Sequence, residues 1–441
     1  MAIEKKPSLL PSKMRISAID RFRGFVIFYM VFAHSLLYWL IPQDSFYAGF
    51  LLISWETTFC GAAAFVFISG ISLSLSYNSY IRKVLANPNN ATREKWNGRL
   101  QIWIRTAWIC GLSLITNIIG SLAIGQVAIW VWYVFQTIWV SRAVCYPFLQ
   151  SSPKYRLIIG FLIIILSDPI RMWCASESPV LFFILFHSVS VNPFFPFVGF
   201  FFVGSALGNW LDRWFQFQMK AKTSETPTIS FALGSLRFFT PKLLIWMGMV
   251  IMLVGISFGL QMDNSPVSAE IFQRLNIIPG LNVQALPAFM VHSNSAWGLY
   301  TLGFDFIVFA LFLNVDISNI EVLLKNSSSI SRNTKDLKPT VERVKRSYKD
   351  SIKALTLFGQ QSLTVYLSHY WVFYLFAKQL WFWQWLILAP LIVTAYYFLI
   401  WVWVNGKGKG YTLDWVIGTT TEMIVKAILN RKFLGKRGIS S

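Results

Sequence analysis

Residues 23–41 read RGFVIFYMVFAHSLLYWLI, and this stretch decides the fold class. At a helical rise of about 1.5 Å per residue it reaches about 28 Å, close to the ~30 Å hydrocarbon thickness of a bilayer. Its ionisable groups are Arg23 at one end and His34, eleven residues further on and so near the membrane midplane. Comparable apolar runs recur at roughly 58–77, 100–121, 127–149, 155–172, 193–211, 242–261, 297–315, 355–376 and 380–404. Segment 178–190, which contains VLFFILFHSV, is too short to cross and reads as a re-entrant or interfacial piece.

Composition agrees with this reading. The 441 residues are 55% hydrophobic, 17% aromatic and 13% charged, which is more apolar surface than one water-soluble core can hide. Twenty Trp and 39 Phe suit lipid-facing surfaces and interfacial belts. A net charge of +20 would point a soluble protein toward nucleic acid. Here its distribution assigns it to topology instead. With the N-terminus inside, all of the 39 Lys and Arg residues except Arg171, Arg274 and Lys378 fall on the cytoplasmic side, as the positive-inside rule requires. The predicted fold is an all-α polytopic transmembrane helix bundle of about ten spans in the cell membrane, N-in and C-in, with no nucleic-acid partner.

The expected organisation is a cytoplasmic tail (1–22), a membrane bundle of about eight helices (23–315), a basic cytoplasmic loop (316–354), two last membrane helices (355–404) and a cytoplasmic C-terminal tail (405–441). The basic N-terminus lacks a small-residue cleavage site after its first apolar run, so that helix is expected to be retained. The loop, with KNSSSISRNTKDLKPTVERVKRSYKD, reads as a topogenic segment lying against membrane lipids. Sequons at Asn90 and Asn326 fall on the cytoplasmic side and are expected to stay unmodified. Cys60, Cys110, Cys145 and Cys174 occur singly, as small buried hydrophobes do, and no metal site is expected. There is no internal repeat and no glycine-rich phosphate loop. Oligomeric state is not legible.

Ionisable groups at membrane depth are costly, so each is a candidate functional residue. A neutral imidazole at position 34 can accept a proton near neutral pH, as a general base must, or can simply hydrogen-bond between helices. In GQQSLTVYLSHYW, spacings of four and three place Ser362, Tyr366 and His369 on one helix face. This polar stripe either lines a substrate cavity or locks the helix to its neighbours. Asp305, in LGFDFIVFA, needs a partner or a wet cavity. His187 and His292 belong to outer-side segments, where a solvated histidine is the default. Arg105 is close enough to the cytoplasmic face to snorkel.

Four segments in order resemble one family. IDRFRGFVIFYMVFAHSL has its Asp-x-x-Arg-Gly start and histidine-bearing helix. AAAFVFISGISLSLS has its Phe-x-Phe-x-Ser-Gly helix. NPFFPFVGFFFVGSALGNWL has the Pro-rich entry to a Gly-x-x-x-Gly helix, and LFGQQSLTVYLSHYW has the late Gly-x-x-Ser-Leu-x-x-Tyr-x-x-His helix. These features are similar to those of the heparan-α-glucosaminide N-acetyltransferase catalytic-domain family, from about Arg15 to Trp415, with GYTLDWVIG as a weaker match to its closing segment. The resemblance implies transfer of an acyl group, acetyl in the first instance, from cytoplasmic acyl-coenzyme A (acyl-CoA, acetyl-CoA) to a glycan or amine acceptor across a bundle of about ten or eleven helices.

On that reading His34 is the general base. Tyr366 and His369 orient the acceptor or stabilise the oxyanion, Ser362 and Asp305 bind substrate, and Arg23 contacts coenzyme phosphate. There is one departure. Animal lysosomal members carry a catalytic histidine before a Ser-Trp pair in the first outer loop. Here that place reads Leu51-Leu52-Ile53-Ser54-Trp55, with no histidine between Leu40 and Phe59. Direct attack of the acceptor on the thioester is then the simpler mechanism. A non-enzymatic transporter of a lipid-linked or amphiphilic substrate, or a structural subunit of a membrane complex, remains the alternative. Against the transporter stands the lack of two related halves with paired Gly/Pro breaks.

Overall fold

The apolar runs fold as helices, and the described residues contain no β-strand, only an isolated bridge between Leu40 and Leu380. A computed structural model describes residues 16–44, 61–123, 130–186, 192–223, 240–262, 286–328, 353–373, 375–406 and 410–434. In chain order the helices are α1 (Ser17–Trp39), α2 (Gly61–Ala86), α3 (Ala91–Ala123), α4 (Val134–Cys145), α5 (Pro153–Ile165), α6 (Ser167–Glu177) and α7 (Pro179–Leu185). There follow α8 (Phe194–Thr223), α9 (Pro241–Gln261), α10 (Ser295–Ser328), α11 (353–360), α12 (Ser362–Ser368), α13 (Phe382–Asn405) and α14 (Leu413–Leu434). Local chemistry sets several starts. Ser152 and Thr240 accept backbone N–H groups of Lys154 and Leu243, and each is followed by a proline at the first helical position.

Among the described residues six helices, α2, α3, α8, α9, α10 and α13, are long and apolar enough to cross a membrane, and α5 with α6, bent by 54° at their junction, make a seventh if counted as one. The other expected runs take different forms. The run at 127–149 contributes the twelve-residue α4, and 355–376 is broken into α11, α12 and a 3-10 turn from His369 to Phe373. The first helix starts at Ser17, so Asp20 and Arg21 lie inside it and are buried. Residues beyond 405, expected as a tail, include the 22-residue α14, which packs along α3.

Exposure separates core from lipid. Helices α2 and α8 pack tightly on one another and supply much of the core, including Phe67, Phe197, Phe200 and Phe201. In contrast α9 and α13 turn bulky apolar residues outward, with Leu253 58% and Leu399 65% exposed. Such faces are stable against acyl chains, not against water.

One crossing positions the rest of the molecule. Gly24 of α1 meets the backbone of Leu355 and Gly359 in α11, and Gly359 meets the backbone of Asp20. A Cβ at either place would overlap main-chain atoms, so the two helices touch there only because both residues are glycine. We expect Gly359→Ala to cost about 1–3 kcal/mol, the usual range for overpacking. It should be read as a lower melting temperature in detergent, and an unchanged one would show that the crossing is looser than this.

Candidate active site

The crossing of α1 with α11 sends the C-terminal half of α1 alongside α12 and the turn after it. Further bonds fix the register. Trp39 Nε1 donates to the Val372 carbonyl at 2.6 Å, and Ile41 N and Leu380 N donate to the carbonyls of Leu380 and Trp39 at 3.0 and 2.9 Å. Asp44 accepts the Phe382 N–H at 2.6 Å, and Trp385 Nε1 donates to Ser35 Oγ at 3.1 Å. The result brings together two residues 335 positions apart: His34 Nδ1 lies 3.0 Å from His369 Nε2, with ring centroids 5.1 Å apart and planes inclined by 19°.

The tautomers follow from the partners. His369 Nδ1 is hydrogen-bonded to the Tyr366 carbonyl, which can only accept, so Nδ1 carries the proton and Nε2 the lone pair. His34 Nδ1–H must then donate to His369 Nε2. That leaves the lone pair of His34 on its own Nε2. The two rings therefore form a short chain, carbonyl to imidazole to imidazole, ending on a basic nitrogen.

Aromatic hydroxyls border this chain. Tyr366 and Tyr370 share a hydrogen bond. The His369 ring lies 5.3 Å from that of Tyr366 and 5.1 Å from that of Tyr370, and Tyr38 sits 6.2 Å from His34. Helix α4 closes the cluster from another side, with Phe135 4.4 Å from the Tyr366 ring and Tyr133 close to Tyr366 and Tyr370. His369 is 1% exposed and His34 half-buried. Water is thus largely replaced by rings that offer hydroxyl donors at a few fixed points.

The other sequence candidates sit elsewhere. Ser362 begins α12, a full helix length from His369, and no hydrogen bond joins it to the histidines among the described residues. The expected single face through Ser362, Tyr366 and His369 is interrupted, because α12 ends at Ser368 and His369 opens the 3-10 turn. Arg23 ties helices together: its Nη2 donates to Ser72 Oγ of α2 at 2.9 Å, its Nη1 reaches the Gly359 carbonyl at 3.5 Å, and Asp20 lies 3.9 Å away. His292, expected to be solvated, instead packs 4.3 Å from Trp297 and 5.6 Å from Phe197, with Ser293 Oγ 2.6 Å from its Nδ1. His187 lies outside the described residues, as does Cys60. Cys110, Cys145 and Cys174 are free thiols.

Asp305 is 1% exposed, and neither of its oxygens has a hydrogen-bond partner among the described residues. The described residues hold no partner for this carboxyl, so among them Asp305→Leu strands nothing. Replacing a buried partnerless carboxyl by an apolar side chain of similar size is neutral to stabilising. Asp305→Leu is expected to express and melt at or above the wild-type level, and a clear drop in either would reveal a partner for the carboxyl.

Sequence reasoning missed Asp414. Its carboxylate accepts the backbone N–H and the hydroxyl of Thr364 at 3.1 and 3.0 Å, and it lies 3.4 Å from Leu363 N. It therefore caps the N-terminus of α12, the helix that delivers Tyr366 and His369. Burial pushes this carboxyl up, against the lowering by those hydrogen bonds and by Arg23. The signal was present in GYTLDWVIG, but nothing in spacing tells an acid fifty residues downstream which helix end it caps.

The chain matches a family model described as heparan-alpha-glucosaminide N-acetyltransferase, catalytic, over residues 15–247, which is more than half of its length. No curated protein and no solved structure matches it. The matched stretch runs from before α1 into α9, so it includes His34 but ends before His369. This chain belongs to the heparan-α-glucosaminide N-acetyltransferase catalytic family.

Proposed function

We propose that the protein moves an acyl group, acetyl in the first instance, from acyl-CoA on the cytoplasmic side to a sugar or amine acceptor on or across the cell membrane. The observation that carries this reading is the 3.0 Å contact between His34 Nδ1 and His369 Nε2, with His369 fixed by the Tyr366 carbonyl. Family membership implies a membrane acetyltransferase, and a base inside the bundle is what such a reaction needs.

The chemistry balances simply. The acceptor hydroxyl or amine attacks the thioester carbonyl as His34 Nε2 takes its proton. A carbon–oxygen or carbon–nitrogen bond forms, the carbon–sulfur bond breaks, and the thiolate leaves with the proton that His34 held. Because Tyr366 donates its hydroxyl proton to Tyr370, the pair offers the oxyanion a single donor, the Tyr370 hydroxyl. Arg23, already held by Ser72 and Asp20, is better placed to secure α1 than to meet coenzyme phosphate.

Membranes with and without the protein, given radiolabelled acetyl-CoA, test the reading. Label should enter a membrane or surface glycan or amine only when the protein is present. The absence of any protein-dependent label, together with uptake of an amphiphile, would favour the transporter.

A further inference from the structure

Arg156, near the start of α5, is fully buried against α8. Its Nη1 donates to the Ser205 carbonyl at 2.9 Å and to Ser205 Oγ at 3.3 Å, while Nε and Nη2 have no hydrogen-bond partner among the described residues. Beside it, Cys145 of α4 lies with Sγ 3.5 Å from Ser205 Oγ. Arg142, one turn earlier on α4, is half-buried and donates from Nε to Thr106 Oγ1 at 3.1 Å. Both guanidinium groups act on Cys145, and Arg105 and Arg213 add further positive charge around them. Ser141, fully buried one turn before Cys145, has a hydroxyl without a partner among the described residues.

No carboxylate lies within ion-pair distance of Arg156 or Arg142 among the described residues. Glu422, the acid in this neighbourhood, faces Arg105. Elsewhere the molecule pairs its arginines with acids: Arg82 with Asp212 at 2.5 Å and Arg171 with Asp168 at 3.8 Å. Buried polar groups are rarely left unsatisfied, and buried cations are normally paired. What is missing here has one chemical character. The unfilled positions on the arginine are donors on a planar cationic fork, and such a fork matches the oxygens of a phosphate.

The position adds a second line of argument. Phe135 of α4 touches the Tyr366 ring beside the histidine pair, whereas Arg142 and Cys145 lie seven and ten residues further along the same helix. At helical rise this is about 10–15 Å. One helix therefore joins the histidine cluster to the arginine cluster, so a ligand with phosphate at one end and a reactive carbonyl on a long arm would meet both.

We propose that Arg156 and Arg142, with the Ser141 hydroxyl, form a binding site for a phosphate group carried by a ligand that reaches toward the histidine pair. The site stands on the arginines. Only its identification with a coenzyme phosphate rests on the acyl-transfer reading, because the headgroup of an anionic phospholipid offers the same chemistry.

Full-length protein in nanodiscs of phosphatidylcholine alone, with unacylated coenzyme A as the soluble probe, tests the first source. Saturable binding is expected, weakened roughly tenfold or more in Arg156→Gln and in Arg142→Gln, and retained in part in Arg156→Lys. For the second source, the protein is purified from membranes containing phosphatidylglycerol and its bound lipid is measured by native mass spectrometry. Retained phosphatidylglycerol that is lost in Arg156→Gln, without coenzyme A binding, supports the site with a lipid occupant. Should Arg156→Gln fail to fold, Arg142→Gln carries both arms, since its side chain is only half-buried. The proposal is overturned if neither probe is bound, or if both are bound equally by wild type and variants. Coenzyme A binding without any acyl transfer would leave the phosphate site standing while removing the proposed reaction.

Discussion

His34→Gln is expected to insert and fold like wild type but to lower acyl transfer at least ~10²-fold, the loss typical when a general base is removed. Glutamine keeps much of the shape and both kinds of hydrogen-bonding group, yet it cannot take up a proton near neutral pH. Its side-chain amide can still donate to His369 Nε2, so the helix contact at 3.0 Å survives. A histidine present only to join α1 to the turn after α12 would tolerate this change with little effect on rate. The measurement is initial rate of acetyl transfer in reconstituted membranes, alongside melting temperature. Full activity in His34→Gln would remove the mechanism even though the chain belongs to the family.

The helices were legible where the sequence carried its own length and capping signals. Runs such as 242–261 are continuous, bounded by Thr240 and Pro241, and appear as α9 with nearly the expected ends. Breaks inside a run were not legible, because hydropathy measures composition and α11, α12 and the following turn share one apolar composition from 355 to 376. The same limit explains α14, whose mixed composition reads as tail until α3 is present to pack against it.

For the site, depth arguments flagged His34 and Asp305, and helical spacing flagged Ser362, Tyr366 and His369 together as a polar stripe. Pairing was another matter. His34 and His369 meet through Gly24 and Gly359, a contact between glycines far apart in sequence, and neither periodicity nor charge announces it. Nor does anything in the spacing of Tyr38, Tyr133 and Tyr370 set them apart from the chain's many other aromatics. Arg142 and Arg156 were hidden by the positive-inside rule itself, which accounts for basic residues near span ends without asking whether they are buried.

The tautomer chain yields the last expectation. If His369 sets the state of His34, its value lies in an acceptor atom facing His34 Nδ1, and any acceptor there should do. His369→Gln places a carbonyl oxygen within reach of the same proton, so the lone pair stays on His34 Nε2 and most of the rate should remain. His369→Leu offers nothing. It removes the acceptor that faces the His34 Nδ1–H, and the ring can then adopt the other tautomer or turn away, with a fall in kcat on the order of 10- to 100-fold. A purely structural contact would show the reverse order, because leucine fills apolar space at least as well as glutamine. The split between kcat and KM sharpens the test. Sequence alone suggested that His369 orients the acceptor, which would raise KM, whereas a residue that holds the base in its working tautomer lowers kcat at unchanged KM. Kinetics of the two variants at matched expression decide between these roles, and a leucine variant with wild-type kcat would mean that the hydrogen bond between the two histidines does not serve the reaction.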